Sequence, residues 1–145
     1  MDNAQEIEIP ESHREIIAAN HIGVLSTLRH KDGLISTNPV GYVWDGQCVR
    51  ISTIKDRMKY RNLLANPRVT FCVVDAKDHM RYVELRGFAT IEDDSDQSFL
   101  RSTFVYAGME PPDAIDPPGT ERVVVRIHPQ QSSSPTLYGG RFNRT

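Results

Sequence analysis

The chain has 145 residues, 17 Lys and Arg against 19 Asp and Glu, and a formal net charge of −2. That length suits one domain burying about two-thirds of its unfolded surface, and the near balance of charge argues against a general nucleic-acid binder. Its apolar runs are too short to span a membrane, "MDNAQEIEIP" lacks the apolar centre of a signal peptide, and the widely spaced Cys48 and Cys72 read as reduced thiols of a cytoplasmic protein.

In chain order, "PESHREIIAAN" predicts a short helix, with Ser12 and Glu15 at capping-box spacing and Ile16 and Ile17 on its apolar side. "HIGVLSTL" is rich in β-branched residues and predicts a strand. "HKDG" is turn chemistry, and "LISTNPVGYVW" a second strand whose ladder Asn38-Pro39 interrupts. Asp45-Gly46 between apolar runs marks a hairpin leading into "QCVRIST". Residues 21–53 thus read as an antiparallel meander.

Asp56 is the expected N-cap of a helix over "RMKYRNLLA", which Asn66-Pro67 ends, since a residue before proline avoids the helical region. "RVTFCVVD" reads as a strand covered on both faces. "MRYVELRGFATIE" is a long strand with a bulge or close approach at Gly87. A helix is expected around residues 97–107, then a proline-rich loop, the strand "RVVVRI" and a polar tail from about residue 129. The order predicts one mainly β (α+β) domain over residues 1–145, a six-stranded antiparallel barrel with short flanking helices.

The charge is uneven. "STIKDRMKYRNLLANPRV" holds Lys55, Arg57, Lys59, Arg61 and Arg68 against the single acid Asp56. Cations in the first turn of a helix oppose its macrodipole, so local stability would favour acids there. A bound anion reverses the conflict, because backbone N–H groups and side chains converge on it. Ser52 and Thr53 precede the turn and add hydroxyl donors. The competing reading is a solvated charged face. Residues 57 and 59 point to different sides of a helix, so they grip one phosphate only if the turn wraps around it.

"STIKDRMKYRNL" after "DGLISTNPVGYVWDG", followed by "RYVELRGFATI" and "ERVVVRIHP", resembles the pyridoxamine-phosphate-oxidase-like flavin-binding split barrels, and most closely their small deazaflavin (coenzyme F420)-dependent oxidoreductases. The resemblance runs from about residue 12 to 129. It implies a homodimeric split barrel with a cofactor in each groove between subunits. By that resemblance Ser36, Thr37, Asn38 and Pro39 lie under the tricyclic ring, and Ser52, Thr53, Arg57 and Lys59 hold the ribityl chain and phosphate. Asn62 matches the Asn of the family's "K..RNL" pattern, and Tyr82 a position that often reaches the cofactor from the other subunit. The chain departs from the family at Asn38-Pro39, where many members have Ser-Pro, and in the tail after Pro129.

Hydride transfer asks orientation, electrostatics and water exclusion of the protein. No catalytic dyad is evident, and no catalytic residue is assigned. His13, His21, His30, His79 and His128 lack metal-ligand spacing, so no metal is expected. Cys48 and Cys72 read as core thiols, "EDDSD" as a solvated loop rather than a calcium site, and no Rossmann or Walker sequence occurs. Three functions follow: hydride transfer from reduced F420 to a small conjugated organic substrate, FMN-dependent oxidase or reductase chemistry, and non-enzymatic carriage of a flavin, haem or other anion. The oligoglutamate tail of F420 favours the first, given the surplus charge at Lys55, Arg61 and Arg68. The expected partners are a second copy of the chain and a small-molecule substrate, not nucleic acid or a membrane.

Overall fold

The structure, a computed structural model, describes residues 7–140; the first six and last five residues, with the end of the polar tail, lie outside the described residues. Helix α1 (Glu11–Ala19) is followed by β1 (Ile22–Leu28), β2 (Ile35–Gly41), β3 (Val43–Trp44) and β4 (Val49–Ile54). Then come α2 (Met58–Ala65), β5 (Arg68–Val74), β6 (Tyr82–Asp93), α3 (Ser98–Tyr106) and β7 (Arg122–Ser133). No helix among these residues is long and apolar enough to cross a membrane.

The strands form one seven-stranded sheet in the order β2-β1-β5-β6-β7-β4-β3, antiparallel at every pairing. Strands β2 and β3 are consecutive in the chain yet stand at opposite edges of the sheet. Only Tyr42 lies between them, so the sheet must curl until its edges meet. The result is a split barrel, with the split running between β2 and the β4-β3 edge. Seven strands replace the expected six because "LISTNPVGYVW" breaks at Tyr42. The meander also ends there: β4 pairs with β7, Val49 opposite Ile127, rather than with β2. Pro39 does not interrupt its strand, which runs through it opposite Val24; an edge strand tolerates a missing N–H.

The core fills the inside of the curl. Phe71, Leu25, Leu85, Val83, Val49 and Ile127 are fully buried, and α1 adds Ile16 and Ile17. Phe71 meets Tyr42 edge to face, with centroids 5.1 Å apart. Gly23 makes room for the Phe71 ring, since a Cβ there would lie 2.1 Å from Phe71 Cζ. Tyr42 donates its hydroxyl to the Ile17 carbonyl (2.6 Å), tying the crossover to α1. At Gly87 both sequence expectations are met. The β6-β7 register shifts between Arg86 and Gly87, and a Cβ would fall 2.0 Å from the His128 carbonyl oxygen. The Asp45-Gly46 turn also forms as read, with Gly46 at φ 96° and Asp45 Oδ1 accepting from the N–H groups of Gln47 and Cys48.

Other expectations need correction. Pro10 occupies the N-cap of α1, whose helix therefore starts at Glu11 with no side-chain cap. Ser12 instead bonds His13 Nδ1 (2.8 Å) and Glu15 turns to Arg81, so the capping box does not form. Asp56 is not an N-cap, because a turn closed by Arg57 N–H on the Ile54 carbonyl carries the chain past it. Within one chain β5 is buried on one face only, through Val69, Phe71 and Val73, with Thr70 and Cys72 half-buried. β7 runs on to Ser133, so the polar segment after Pro129 begins as strand. In "EDDSD" Asp94 is buried and accepts from the N–H groups of Phe99 (2.9 Å) and Leu100 (3.0 Å), capping α3.

Candidate cofactor site

The split brings the end of β2 against the end of β4 and the start of α2. A cleft of ≈ 250 Å³ opens there, lined by Pro39, Val40 and Gly41 on one side and by Ile51–Ile54, Arg57, Lys59 and Arg122 on the other. Five residues expected at a cofactor thus converge: Pro39, Ser52, Thr53, Arg57 and Lys59. Arg57 is the N-cap of α2, in extended geometry (φ −79°, ψ 144°), and no side chain caps the helix. This extended residue is how the turn wraps: it lets Arg57 and Lys59 line one cleft despite their spacing. Among the described residues neither cation has a carboxylate partner within ion-pair distance. Burial, and then the neighbouring Arg57 charge, hold the Lys59 ammonium below the usual lysine range.

Arg122 is the residue that the sequence reading missed. It pairs bidentately with Asp116 (2.7 and 2.8 Å) and donates from Nη1 to Ser52 Oγ (3.3 Å). The Arg122 hydrogen bond holds the Asp116 carboxyl below its usual range. Arg122 therefore positions the Ser52 hydroxyl while its charge is already balanced. The only signal in the sequence is an arginine opening "RVVVRI" after an acid in the proline-rich loop, and it acquires meaning once β4 pairs with β7.

The remaining expected residues lie elsewhere. Successive side chains of β2 face opposite sides, so Ser36 and Asn38 share one face and Thr37 and Pro39 the other. Thr37 Oγ1 is 2.9 Å from Ser26 Oγ, and Asn38 Nδ2 donates to the Pro39 carbonyl. Asn62 is 1% exposed and holds the loop after β1: its Oδ1 accepts from His30 N–H (3.1 Å) and its Nδ2 donates to Thr27 Oγ1 (3.1 Å). Tyr82 opens β6 opposite Val74, on the outward side of the sheet. The surplus cations also disperse. Lys55 Nζ is 2.7 Å from Glu121, Arg61 lies over Met58 Sδ, and Arg68 lines a separate groove of ≈ 530 Å³ with Arg86 and Gln131.

A curled antiparallel sheet split at one seam, with a helix that no side chain caps and two cations without a carboxylate partner among the described residues at that seam, defines a split-barrel protein with a basic groove. The family pattern described as pyridoxamine 5'-phosphate oxidase matches residues 9–134, and the chain belongs to that family. Among solved structures it is similar to an F420 reductase, at 30% identity over 86% of this chain and 98% of that one, with a TM-score of 0.75. It shares its fold with a putative pyridoxamine 5'-phosphate oxidase from Listeria innocua, at 19% identity over 83% and 93% of the two chains (TM-score 0.65). A haem-binding protein from Mycobacterium smegmatis has the same fold, at 20% identity over 92% of this chain and 57% of that one (TM-score 0.65).

Proposed function

We propose that the protein is an oxidoreductase that binds the deazaflavin F420 and passes a hydride from its reduced form to a small conjugated organic substrate. The observation that carries this reading is the pair Arg57 and Lys59, facing one small cleft without an acid between them. Like charges brought together at a helix N-terminus lose energy unless an anion joins them. Ser52 adds a hydroxyl at the same place, while Thr53 lines the cleft from the buried face of β4 at 4% exposure, and the cleft's size suits a phosphate ester rather than a tricyclic ring. The ring would then extend beyond it along the seam. When bound, the cofactor supplies hydride chemistry; the chain's residues fix its phosphate, orient it and keep out water. The likeness to an F420 reductase supports the choice of cofactor.

FMN is the second reading, and one observation favours it. Lys55 is taken by Glu121 and Arg68 faces another groove, so the surplus positive charge that suited an oligoglutamate tail is not gathered beside the phosphate cleft. Titrating the purified protein with F420 and with FMN separates the two. Tighter F420 binding, weakened in Lys59→Ala, supports the first reading; FMN preference replaces it, and loss of neither affinity in Lys59→Ala removes both.

The protein acts, in this reading, as a homodimer. Ile22, Val24, Ile35 and Val74 project from β1, β2 and β5 with exposures of 61%, 37%, 70% and 43%. A second copy related by a two-fold axis would cover that face and bring its Tyr82 towards the seam. Sedimentation at micromolar concentration should give a dimer, and a monomer there would sink the arrangement.

A further inference from the structure

Arg122 lines the basic cleft and also holds down the loop that precedes it. That loop, residues 107–121, joins α3 to β7. Between Glu110 and Gly119 it makes no backbone-to-backbone hydrogen bond to another element among the described residues. Side chains hold its middle instead. Arg101 donates to the carbonyls of Pro112 (3.2 Å) and Asp113 (3.0 Å), Gln97 donates to Asp116 Oδ2 (3.1 Å), and Arg122 takes Asp116 in its bidentate pair. Only the last joins opposite charges.

The loop is built to move as one piece. Pro111, Pro112, Pro117 and Pro118 fix φ along it. Gly108 and Gly119 bracket them at φ 75° and 87°, a region that glycine enters without steric cost, and such end positions absorb the rotation of a hinge. Ala107 and Met109, beside the first of these glycines, wall a hollow of ≈ 380 Å³ that borders the cleft through Gly41 and Arg122.

An anion in the cleft and Asp116 draw on the same guanidinium. Asp116 has a side-chain exposure of 8%, so salt screens its interactions little. Arg57, Lys59 and Arg122 together attract its carboxylate. An anion that joins them cancels part of this attraction and repels the carboxylate as well. The effect is mutual: the factor by which the anion weakens the Asp116 hold is the factor by which that hold weakens the anion.

We infer that residues 107–121 form a lid on the hollow, latched by Asp116 on Arg122, and that an anion in the basic cleft releases the latch. The inference rests on the proposed function only in taking the cleft as an anion site.

The test is an NMR titration of the full chain with inorganic phosphate, compared with sodium chloride at matched ionic strength. Phosphate should shift the amides of Arg57 and Lys59. As it saturates, the amide order parameters of Ala114, Ile115 and Asp116 should fall from near the rigid-backbone value of about 0.85 to below about 0.6. Asp116→Asn keeps the size of the side chain and removes its charge. It should bind phosphate roughly fivefold more tightly, the lower end of such couplings, and show low order parameters with or without phosphate. Order parameters that hold or rise while Arg57 and Lys59 shift would overturn the lid and leave the anion site standing. An equal fall in sodium chloride alone would reduce the effect to screening and overturn it too, as would a phosphate affinity unchanged in Asp116→Asn. If phosphate shifts neither Arg57 nor Lys59, the anion reading falls and takes the lid with it. The wild-type titration decides the matter even if the variant folds poorly.

Discussion

Two basic groups in this molecule sit near helix N-termini and have opposite fates. Arg81, beside α1, is saturated: Nη1 donates to Asp75 (2.9 Å), and Nη2 to Glu15 (2.7 Å) and to the Ser12 carbonyl (2.5 Å). Its hydrogen bond with Glu15 raises its pKa and lowers that of Glu15. At α2, Arg57 and Lys59 have no such acids, and burial and mutual repulsion push Lys59 the other way. The first arrangement satisfies itself and so serves the fold. The second has no carboxylate within the described chain to balance it, and in the proposed reading a bound anion takes that place. Charge density in the sequence does not separate the two; the presence of partners does.

The sharpest way to break this contrast is Asp116→Ala. Arg122 and Asp116 have side-chain exposures of 18% and 8%, so the change strands a largely buried guanidinium. Removing one partner of a buried pair costs on the order of 3 kcal/mol, readable in urea unfolding. The freed Arg122 becomes a third uncompensated cation at the cleft, so phosphate affinity should rise while stability falls. A fall in both would mean that Arg122 is needed where Asp116 holds it.

Next in size is Lys59→Ala. Loss of a charge-assisted hydrogen bond of about 1.5–3 kcal/mol is roughly ten- to a hundredfold in cofactor affinity. Stability without ligand should hold or rise, because the conflict with the helix dipole and Arg57 is relieved. Arg81→Ala should do the reverse. Its pairs are partly exposed and so worth less, about 1–2 kcal/mol of unfolding free energy for the set, with phosphate affinity within twofold. If both variants lose affinity equally, α2 is no special site.

Much of this was legible in the residues, and the failures share a cause. Helix α2, its end at Asn66-Pro67, the Asp45-Gly46 hairpin and the Gly87 bulge follow from local chemistry, and local chemistry is what a sequence displays. Ser52, Thr53, Arg57 and Lys59 met at one cleft because they are close in the chain. Arg122 was missed because it reaches Ser52 only through the β4-β7 pairing, set by the closing of the barrel. The role of Asn62 was hidden likewise: the residue matching the family pattern lies buried and ties the loop after β1 to Thr27, a contact between distant segments. The capping box failed because Pro10 set the helix start before Ser12 had the chance. The alternation of Ser36–Pro39 was readable, yet a list of neighbouring residues conceals that they face two sides.

The smallest expected effect is one of pH, and its sign tests the comparison most directly. Lys59 has a folded pKa below the ordinary lysine value of 10.5. Below the folded pKa both states carry the proton, and the burden on stability is full. Between the folded pKa and 10.5 the unfolded chain holds more protons, so stability should rise with pH there. Anion affinity should move the opposite way, because the bound anion needs the ammonium that is being lost. Measured above pH 7.5, where a phosphate monoester is already close to its dianion, affinity should fall as Lys59 deprotonates, starting below pH 10.5. Lys59→Arg should flatten that fall, since a guanidinium keeps its charge. Arg81 has no counterpart to this behaviour, because its acids hold it charged throughout. A wild-type affinity that declines with pH identically in Lys59→Arg would show that Lys59 does not meet the anion, and would leave Arg57 and the helix terminus to hold it.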